Sequence, residues 1–452
     1  MTTNATSLRG VVEGAVLEAG DDGYDEACAI WNAMIERKPR LIVRCVGVGD
    51  VAAAVRHARD NHLEIGVRCG GHGILGTAVP DDGLMIDLTP LNAVRVDPQT
   101  RRARVRGGAL LGLLDQAAQQ HGLATTAGNV SHTGVGGLTL GGGMGWLARQ
   151  YGLSCDNVVS FEVVTADART VCASATENPE LYWGLRGGGG NFGVVTDFEF
   201  ALHPVAGQTI VADFWFSLDT APDVFRRWRD LNAEAPREAT FTASVTEKDG
   251  QPMASVGLVW VGAPDAGKSC VPALRALGEP LGERVDELSY VDLQRMDDNV
   301  MGHRFRRYWK GHYLQSMPDE AIEAYLLRGT GDGRGEHLPN ASLQAYGGAI
   351  AEVPDDDTAF SQRDTLFEFV TAAKWEDPAE DESRMAAARR YAASLDSFAS
   401  GAYVNVLTDE GQAGVQRAYP PEKLARLTAL KDQWDPDNVF HLNQNIRPSG
   451  GQ

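Results

Sequence analysis

The chain has 452 residues and a formal charge of −20 at pH 7, which argues against nucleic-acid and anionic-membrane partners, since both need basic patches. With 43% apolar and 23% charged residues it reads as an ordinary globular protein, too long for one hydrophobic core, so two domains or subdomains are expected. Its cysteines (28, 45, 69, 155, 172, 270) form no C-x-x-C pair, which predicts neither a disulfide framework nor a zinc site, and no metal is expected. Met1-Thr2-Thr3-Asn4 has no basic or apolar leader character and no long apolar run follows. A soluble, cytoplasmic protein is the expectation.

From about residue 40 to 205 the chain alternates short strands and helices. Asp50 is placed to cap a helix whose apolar face carries Val51, Ala54, Val55 and Ala58. Strands are expected at Ile65–Arg68, Leu84–Asp87 and Ala103–Arg106, and a helix at Leu110–Gln120, ended by Gly122. Val158 to Val171 reads as two strands around the turn Ala166–Arg169. From about 206 to 395, strand-like runs (Ile210–Phe216, Phe241–Val245, Ala254–Val261) alternate with helix-like ones (Asp223–Ala233, Asp319–Leu327, Glu382–Leu395). Asp355–Asp357 and Trp375–Ser383 read as solvated loops, and past residue 400 the texture is that of turn-rich polar loop. Such a tail is expected to pack back on the first part of the chain.

Three glycine clusters punctuate the first half. In Arg68-Cys69-Gly70-Gly71-His72-Gly73, two glycines after a strand let successive N–H groups face an anion such as a pyrophosphate. A tight turn with a hydrogen-bonded histidine is the equally good plain reading. Gly134 to Gly145 holds seven glycines in twelve residues, poor material for a helix or strand. It reads as backbone in close approach to a flat or phosphate-bearing ligand, or as a flexible loop, and Leu138 and Leu140 speak against the loop. Gly188, Gly190 and Gly193 match G-x-G-x-x-G, but a helix-like segment precedes and a strand follows, the reverse of a dinucleotide-binding turn. Gly262–Ser269 fits a phosphate-loop pattern, yet Pro264 removes a needed donor and Asp265 sets a negative charge against phosphate. Both nucleotide readings are set aside. The tail from Asp435 to Pro448 is dense in asparagine, which suits bonding to backbone or ligand, or a surface of Asx-turns.

In this order, the segments Arg68–His72, Gly134–Gly145 with Arg149–Leu153, Asp156-Asn157, Trp183–Thr196 and Asn443–Pro448 resemble the berberine-bridge-enzyme-like branch of the vanillyl-alcohol-oxidase flavoproteins, of the FAD-binding PCMH type. The resemblance runs from about Pro39 to His203 and from Ala402 to Pro448. It implies an α+β fold: a two-part FAD-binding domain from residues 1–205 and 396–452, with an α+β substrate domain, 206–395, inserted. It implies FAD bonded through its 8α carbon to His72. The other cofactor-binding residues it implies are Arg68, Cys69, Gly70, Gly71, Gly73 and Ile74; Ser131, His132, Gly136, Gly137, Leu138, Thr139 and Gly142; Val195; and Asn443 and Asn445. Many relatives add a cysteinyl bond from a G-x-C-P-x-V-G segment. Here Val130 holds the cysteine position and cannot form it, so the chain looks like the singly linked bacterial members. Thr133 stands where relatives often carry a valine beside the oxygen site.

The resemblance also makes Tyr403, in Tyr403-Val404-Asn405, the expected catalytic acid/base, against the plain reading of a packed core tyrosine. Three functions follow from it. The first is an oxidase that takes hydride from an alcohol or amine C–H of a small-molecule substrate and passes electrons to molecular oxygen. The second is a dehydrogenase with another acceptor, and the third a flavoprotein that binds a small molecule without turnover. Arg304, Arg306, Arg307, Tyr308, Trp309, Lys310 and Tyr313 either grip an anionic or aromatic substrate or form a basic surface, and the surface is the preferred reading.

Overall fold

A computed structural model describes residues 5–205, 207–248, 251–298 and 302–450. Four strands open the chain: Ala15–Leu17 (β1), Leu41–Arg44 (β2), Ile65–Arg68 (β3) and Leu84–Asp87 (β4), in the order β1-β2-β4-β3. β4 runs parallel to both β2 and β3. A central strand covered on both faces should be apolar throughout, and Leu84, Met85 and Ile86 are fully buried. Asp50 is not the cap of the next helix. Gly47 holds that position before Val48–Asp60. The Asp50 carboxylate instead accepts N–H bonds from Glu13 (2.7 Å), Gly14 (3.2 Å) and Val46 (2.9 Å). Three donors from the N-terminal segment and the preceding turn outcompete the helix's own first turn, and they tie β1 to the helix.

The chain continues through Val94–Asp97 (β5), Arg102–Arg106 (β6), Leu123–Ala124 (β7), Val158–Val164 (β8), Thr170–Ser174 (β9), Val194–Ala201 (β10) and His203–Pro204 (β11). Five of these form a sheet in the order β5-β6-β10-β8-β9, and β7 pairs with β11. Next come Gln208–Ser217 (β12), Ala239–Lys248 (β13), Gln251–Val261 (β14), Gly282–Ser289 (β15), Arg306–Leu314 (β16), Asn340–Ala345 (β17), Phe367–Trp375 (β18) and Ala399–Gly401 (β19). They make one eight-stranded sheet, β15-β12-β14-β13-β17-β18-β16-β19, antiparallel in every pairing.

Side chains alternate across that sheet. One face packs Phe214, Phe241, Leu343, Phe367 and Phe369 against Trp228, Leu274, Tyr325 and Tyr391 of the helices Ala221–Ala233, Pro264–Arg275, Asp319–Leu327 and Asp381–Ala393. The other face sends Tyr313 and Tyr346 into a second core, shared with Leu140, Phe161, Phe198, Phe360, Tyr403 and Ile446. That second core therefore joins residues from both ends of the chain.

Three local expectations differ from what forms. Val135–Leu140 is a short helix despite its glycines, because Val135, Gly136, Thr139 and Leu140 are buried there and packing overrides propensity. The region after residue 400 is largely helical, with Gly411–Ala418 and Pro421–Trp434. In Trp375–Ser383, Trp375 is buried and its indole N–H donates to Asp381 (2.7 Å), which also pairs with Arg306. The Lys431–Asp435 pair is wholly buried at 2.7 Å. Lys431 also donates to the carbonyls of Asn191 and Phe440, clasping the Gly187–Gly193 loop to the asparagine-rich tail. In the rejected phosphate-loop segment, Lys268 pairs with Glu287 at 2.7 Å, and a Cβ on Gly267 would lie 2.7 Å from the Trp260 ring. Among the described residues no helix is long and apolar enough to cross a membrane.

Candidate functional site

β3 delivers the segment 69–73 against the segment 128–137, backbone to backbone. A Cβ on Gly70 would stand 2.2 Å from the Gly134 nitrogen, and one on Gly134 would stand 2.5 Å from the Cys69 sulfur. Neither position admits another residue. Gly71 takes φ +69°, a conformation glycine reaches without strain, and its carbonyl accepts the Trp31 N–H at 3.0 Å. Gly136 lies against the Gly107 carbonyl, and Gly107 in turn against the Val195 carbonyl. Gly73 and Gly137 are exposed, with open space where a Cβ would be. The two glycine segments thus make one surface whose rim is bare backbone.

His72 stands at that rim. Its ring stacks on Trp31 with centroids 4.7 Å apart and planes 19° from parallel. Its Nε2 shares a hydrogen bond of 2.7 Å with His132 Nδ1, and its Nδ1 lies 3.4 Å from the Thr133 hydroxyl. Burial, and then the neighbouring His132, His303 and Arg307, lower its pKa to about 3. The imidazole is therefore neutral at physiological pH, with a lone pair on one of its two nitrogens.

The other expected residues divide. Ser131 is held by Asp298, which accepts from its N–H (2.8 Å) and its hydroxyl (2.7 Å). Arg68 turns its guanidinium away, to the carbonyls of Ala27 and Ala29. Ile74 offers its carbonyl to Asn32 (2.8 Å). Thr139 is fully buried and bonded to Ser154 (3.0 Å), so its hydroxyl serves the interior. The Leu138 carbonyl accepts from Asn405 at 3.1 Å, and Gly142 is closed in by Phe360. Asn443 and Asn445 each keep a buried side-chain oxygen with no protein partner, as do Asn129 and the Nε2 of His132.

Facing this rim is the sheet. The stretch 304–313 is not a basic surface throughout. On β16 alternate residues Arg307, Trp309, Gly311 and Tyr313 point to the glycine segments, and only Arg304 beside the strand remains well exposed among the cations. Arg307 is 2% exposed, packs its guanidinium 3.7 Å over Trp31, and donates to the carbonyls of Trp31, Gly302 and Phe305. Burial lowers its pKa to about 10. Trp309 meets Trp31 edge-on at 5.4 Å. Gln344 on β17 accepts from Asn129 at 3.2 Å, bridging sheet and glycine segment. Trp31 and Gln344 escaped the sequence reading, whereas Trp309 belongs to the stretch read as a substrate grip or a basic surface. Trp31 lies before the recognisable segments, and Gln344 is marked only by the two-residue alternation of a strand whose pairing the sequence does not state.

Tyr403 is buried. Its hydroxyl oxygen accepts from the Gly143 N–H (2.8 Å) and from Asn405 (2.8 Å). Burial, followed by the charge of Glu368, raises its pKa above the ordinary tyrosine value, against those two bonds. Its ring stacks with Tyr313 at 6.3 Å. Its burial is that of the packed core tyrosine of the plain reading, and its hydroxyl is held by two hydrogen bonds.

Bare glycine rims and unpartnered amide oxygens in the tail match what FAD requires: close approach to a pyrophosphate and acceptors for the N–H groups of a flat polar ring. Comparison with known proteins agrees. The FAD binding domain family matches residues 39–174, and the berberine and berberine-like family matches residues 402–447. The chain is 30% identical to (R)-6-hydroxynicotine oxidase of Paenarthrobacter nicotinovorans, over 97% of this chain and 98% of the relative. The crystal structure of 6-hydroxy-D-nicotine oxidase from Arthrobacter nicotinovorans superposes with a TM-score of 0.88 at 28% identity, covering 99% of this chain and 100% of the other. Glucooligosaccharide oxidase from Acremonium strictum, which carries a 6-S-cysteinyl, 8α-N1-histidyl FAD, shares the fold with a TM-score of 0.88 at 23% identity, covering 99% of each chain.

Proposed function

The chain belongs to the berberine-like family of FAD-linked oxidoreductases, and from that premise we propose that it is an oxidase whose FAD is bonded to His72 alone. Its substrate is a small molecule with an oxidisable C–H beside an alcohol or amine, and its electron acceptor is oxygen, giving hydrogen peroxide. The observation that carries this reading is His72: neutral, stacked on Trp31, bonded to His132, and set at the rim of the glycine segments. Hydroxynicotine oxidase, the relative at 30% identity, lends the oxidase activity by analogy, and the histidyl link of glucooligosaccharide oxidase lends the attachment. When bound, FAD supplies the hydride acceptor and the electrophilic 8α carbon.

The residues of the chain divide the remaining work. Gly70, Gly71, Gly73, Gly136 and Gly137 bring bare backbone to the pyrophosphate. Asn443 and Asn445 offer their unpartnered oxygens to the cofactor's N–H groups. Trp31, Trp309 and Arg307 wall the histidine end, and Tyr403 exchanges the proton that accompanies hydride loss. The same reading assigns residues 1–205 and 396–452 to FAD and 206–395 to the substrate. The packing of residues 103–202 with 402–446 in one core supports the joining of the two chain ends, and Tyr313, Tyr346 and Phe360 of the middle segment enter the same core. Deleting residues 440–452 is expected to lower FAD retention sharply, as read by the flavin-to-protein absorbance ratio of the purified protein. Full retention would count against the division.

The test of function is an anaerobic screen of alcohols and amines watched by flavin absorbance, followed by mixing of the reduced enzyme with air. Bleaching and fast reoxidation with peroxide support an oxidase. Bleaching followed by reoxidation over minutes makes it a dehydrogenase, the second reading. Thr133 favours that alternative, because its hydroxyl, 3.4 Å from His72 Nδ1, is able to hold a water where oxygen would sit. Thr133→Val is expected to speed reoxidation by roughly tenfold, worth about 1.4 kcal/mol, without changing the reduction rate. Equal reoxidation rates in both proteins would remove Thr133 from oxygen control.

A further inference from the structure

The residues around Trp31 carry no recognisable motif, yet they cross the histidine loop as a strap held at both edges. The Trp31 N–H donates to the Gly71 carbonyl at 3.0 Å, and the Ala33 N–H to the Phe305 carbonyl at 2.9 Å. Between them the buried Asn32 uses its whole amide. Its Nδ2 donates to the carbonyls of Ile74 (2.8 Å) and Arg307 (3.1 Å). Its Oδ1 accepts from the N–H groups of Arg307 (3.0 Å) and Met34 (3.2 Å). An amide has two donor hydrogens and two acceptor lone pairs, so Asn32 has none left for a ligand. The strap is docked by its backbone and by Asn32. The Trp31 indole does not dock it, and its N–H has no hydrogen-bond partner among the described residues.

That indole is fixed against the site instead. Arg307 lays its guanidinium 3.7 Å from the ring, and Trp309 meets it edge-on at 5.4 Å. Gly302 comes so close that a Cβ there would stand 2.6 Å from the indole nitrogen. What the indole covers is the His72 ring, with centroids 4.7 Å apart and planes 19° from parallel. An imidazole tied only at Nε2 to His132 could still swing about that bond, and a flat ring stacked on it removes the swing. We propose that Trp31 is a positioning residue for covalent flavin attachment, holding the His72 ring in one orientation and keeping water off it. The proposal rests on the attachment reading above.

Attachment joins an imidazole nitrogen to the 8α carbon of FAD. The carbon gives up one C–H proton and the imidazole its N–H proton. The electron pair of the broken C–H bond is left on the flavin, and oxygen takes it with the two protons as hydrogen peroxide. The step needs a neutral ring whose lone pair is aimed, and a misplacement of about 1 Å costs roughly 10²-fold in rate. In the tautomer that donates from Nε2 to His132, the lone pair lies on Nδ1, 3.4 Å from the Thr133 hydroxyl. Burial is the first cause of the low His72 pKa, ahead of His132, His303 and Arg307, and the indole forms one face of that burial. The charge of Asp298 bears on His132, not on His72. Cover and aim thus come from the same side chain.

The test uses flavin-free protein from a riboflavin-requiring host, mixed with FAD in air, and follows acid-stable flavin over time between about pH 5 and 8. Wild type should load at one rate throughout, because His72 stays neutral over that whole range. Trp31→Ala should still bind FAD, since neither the strap nor the glycine cradle needs the indole. Its loading at neutral pH should be roughly 10²-fold slower. It should slow further toward acid, as lost cover raises the His72 pKa from about 3 toward the ordinary histidine value and protonates the ring. Trp31→Phe restores a stacking ring and should restore most of the rate and the flat profile. Loading of Trp31→Ala at the wild-type rate would overturn the proposal. Wild type without acid-stable flavin would overturn the attachment reading itself, and the proposal with it. A second readout needs no FAD. In NMR spectra of isotope-labelled histidine rings, assigned with His72→Ala, His72 of wild type should not titrate between about pH 5 and 8, whereas in Trp31→Ala it should. Identical titrations would overturn the proposal. Should Trp31→Ala fail to fold, Trp31→Leu keeps an apolar cover without a ring and should also load slowly at neutral pH. Wild-type loading by that variant would overturn it equally.

Discussion

His72→Ala is expected to fold, to bind FAD, and to release all of it on acid precipitation, while the wild-type protein stays yellow in the pellet. The cradle is built from glycine backbone, which the substitution leaves alone: Gly70 locked against Gly134, Gly73 and Gly137 bare at the rim. Affinity for FAD should therefore persist and only the covalent bond disappear. A covalent bond needs an uncharged imidazole, and burial together with His132, His303 and Arg307 provides one by lowering the His72 pKa to about 3. Losing the ring also removes the stack on Trp31 and the bond to His132, a cost of roughly 1–3 kcal/mol in stability. The measurement is flavin fluorescence on the denatured protein band, backed by a peptide map. A single flavinyl peptide containing His72 is the expected result. Flavin on a cysteine peptide would sink the reading of Val130 as the residue that forbids a second bond.

The second large effect is expected at Tyr403. Tyr403→Phe keeps the ring that packs between Tyr313 and Phe360 and removes only the hydroxyl. Covalent FAD should remain. Loss of a general acid/base typically slows the chemical step by about 10²- to 10⁴-fold, and the rate of anaerobic flavin reduction is the quantity to read. The substitution is not free for the fold. The Gly143 N–H would lose its acceptor at 2.8 Å, and a buried unpaired donor costs about 1–3 kcal/mol. Rates should therefore be compared well below the melting temperature of the variant. An unchanged reduction rate would take Tyr403 out of the mechanism and leave it as the packed core tyrosine that its burial alone describes.

Much of the fold was legible because its signals are local. A glycine pair after an apolar strand announces a loop, and Ile65–Arg68 and Leu84–Asp87 are strands over the expected residues. Periodicity placed Asp319–Leu327 as a helix over the expected residues too. It failed where burial overrides propensity, as in the glycine-rich helix Val135–Leu140, and where polar helix surfaces imitate loop, as in Pro421–Trp434.

What the sequence by itself determined was the chemistry available: a histidine after two glycines, a valine where a second attachment would need sulfur, a tyrosine two residues before an asparagine, and an asparagine-rich tail. Each is a property of neighbours along the chain. What only the tertiary structure decided was which groups meet. His72 meets His132 across 60 residues of sequence, Trp31 enters from a segment that carried no signal, and Asn129 reaches Gln344 across 215. Arg307 and Glu368 are buried because of the strand register that holds them. A side chain's charge state follows from its desolvation and its neighbours in space. His72 is thus neutral and Glu368 poised near neutrality for reasons that no spacing along the chain contains.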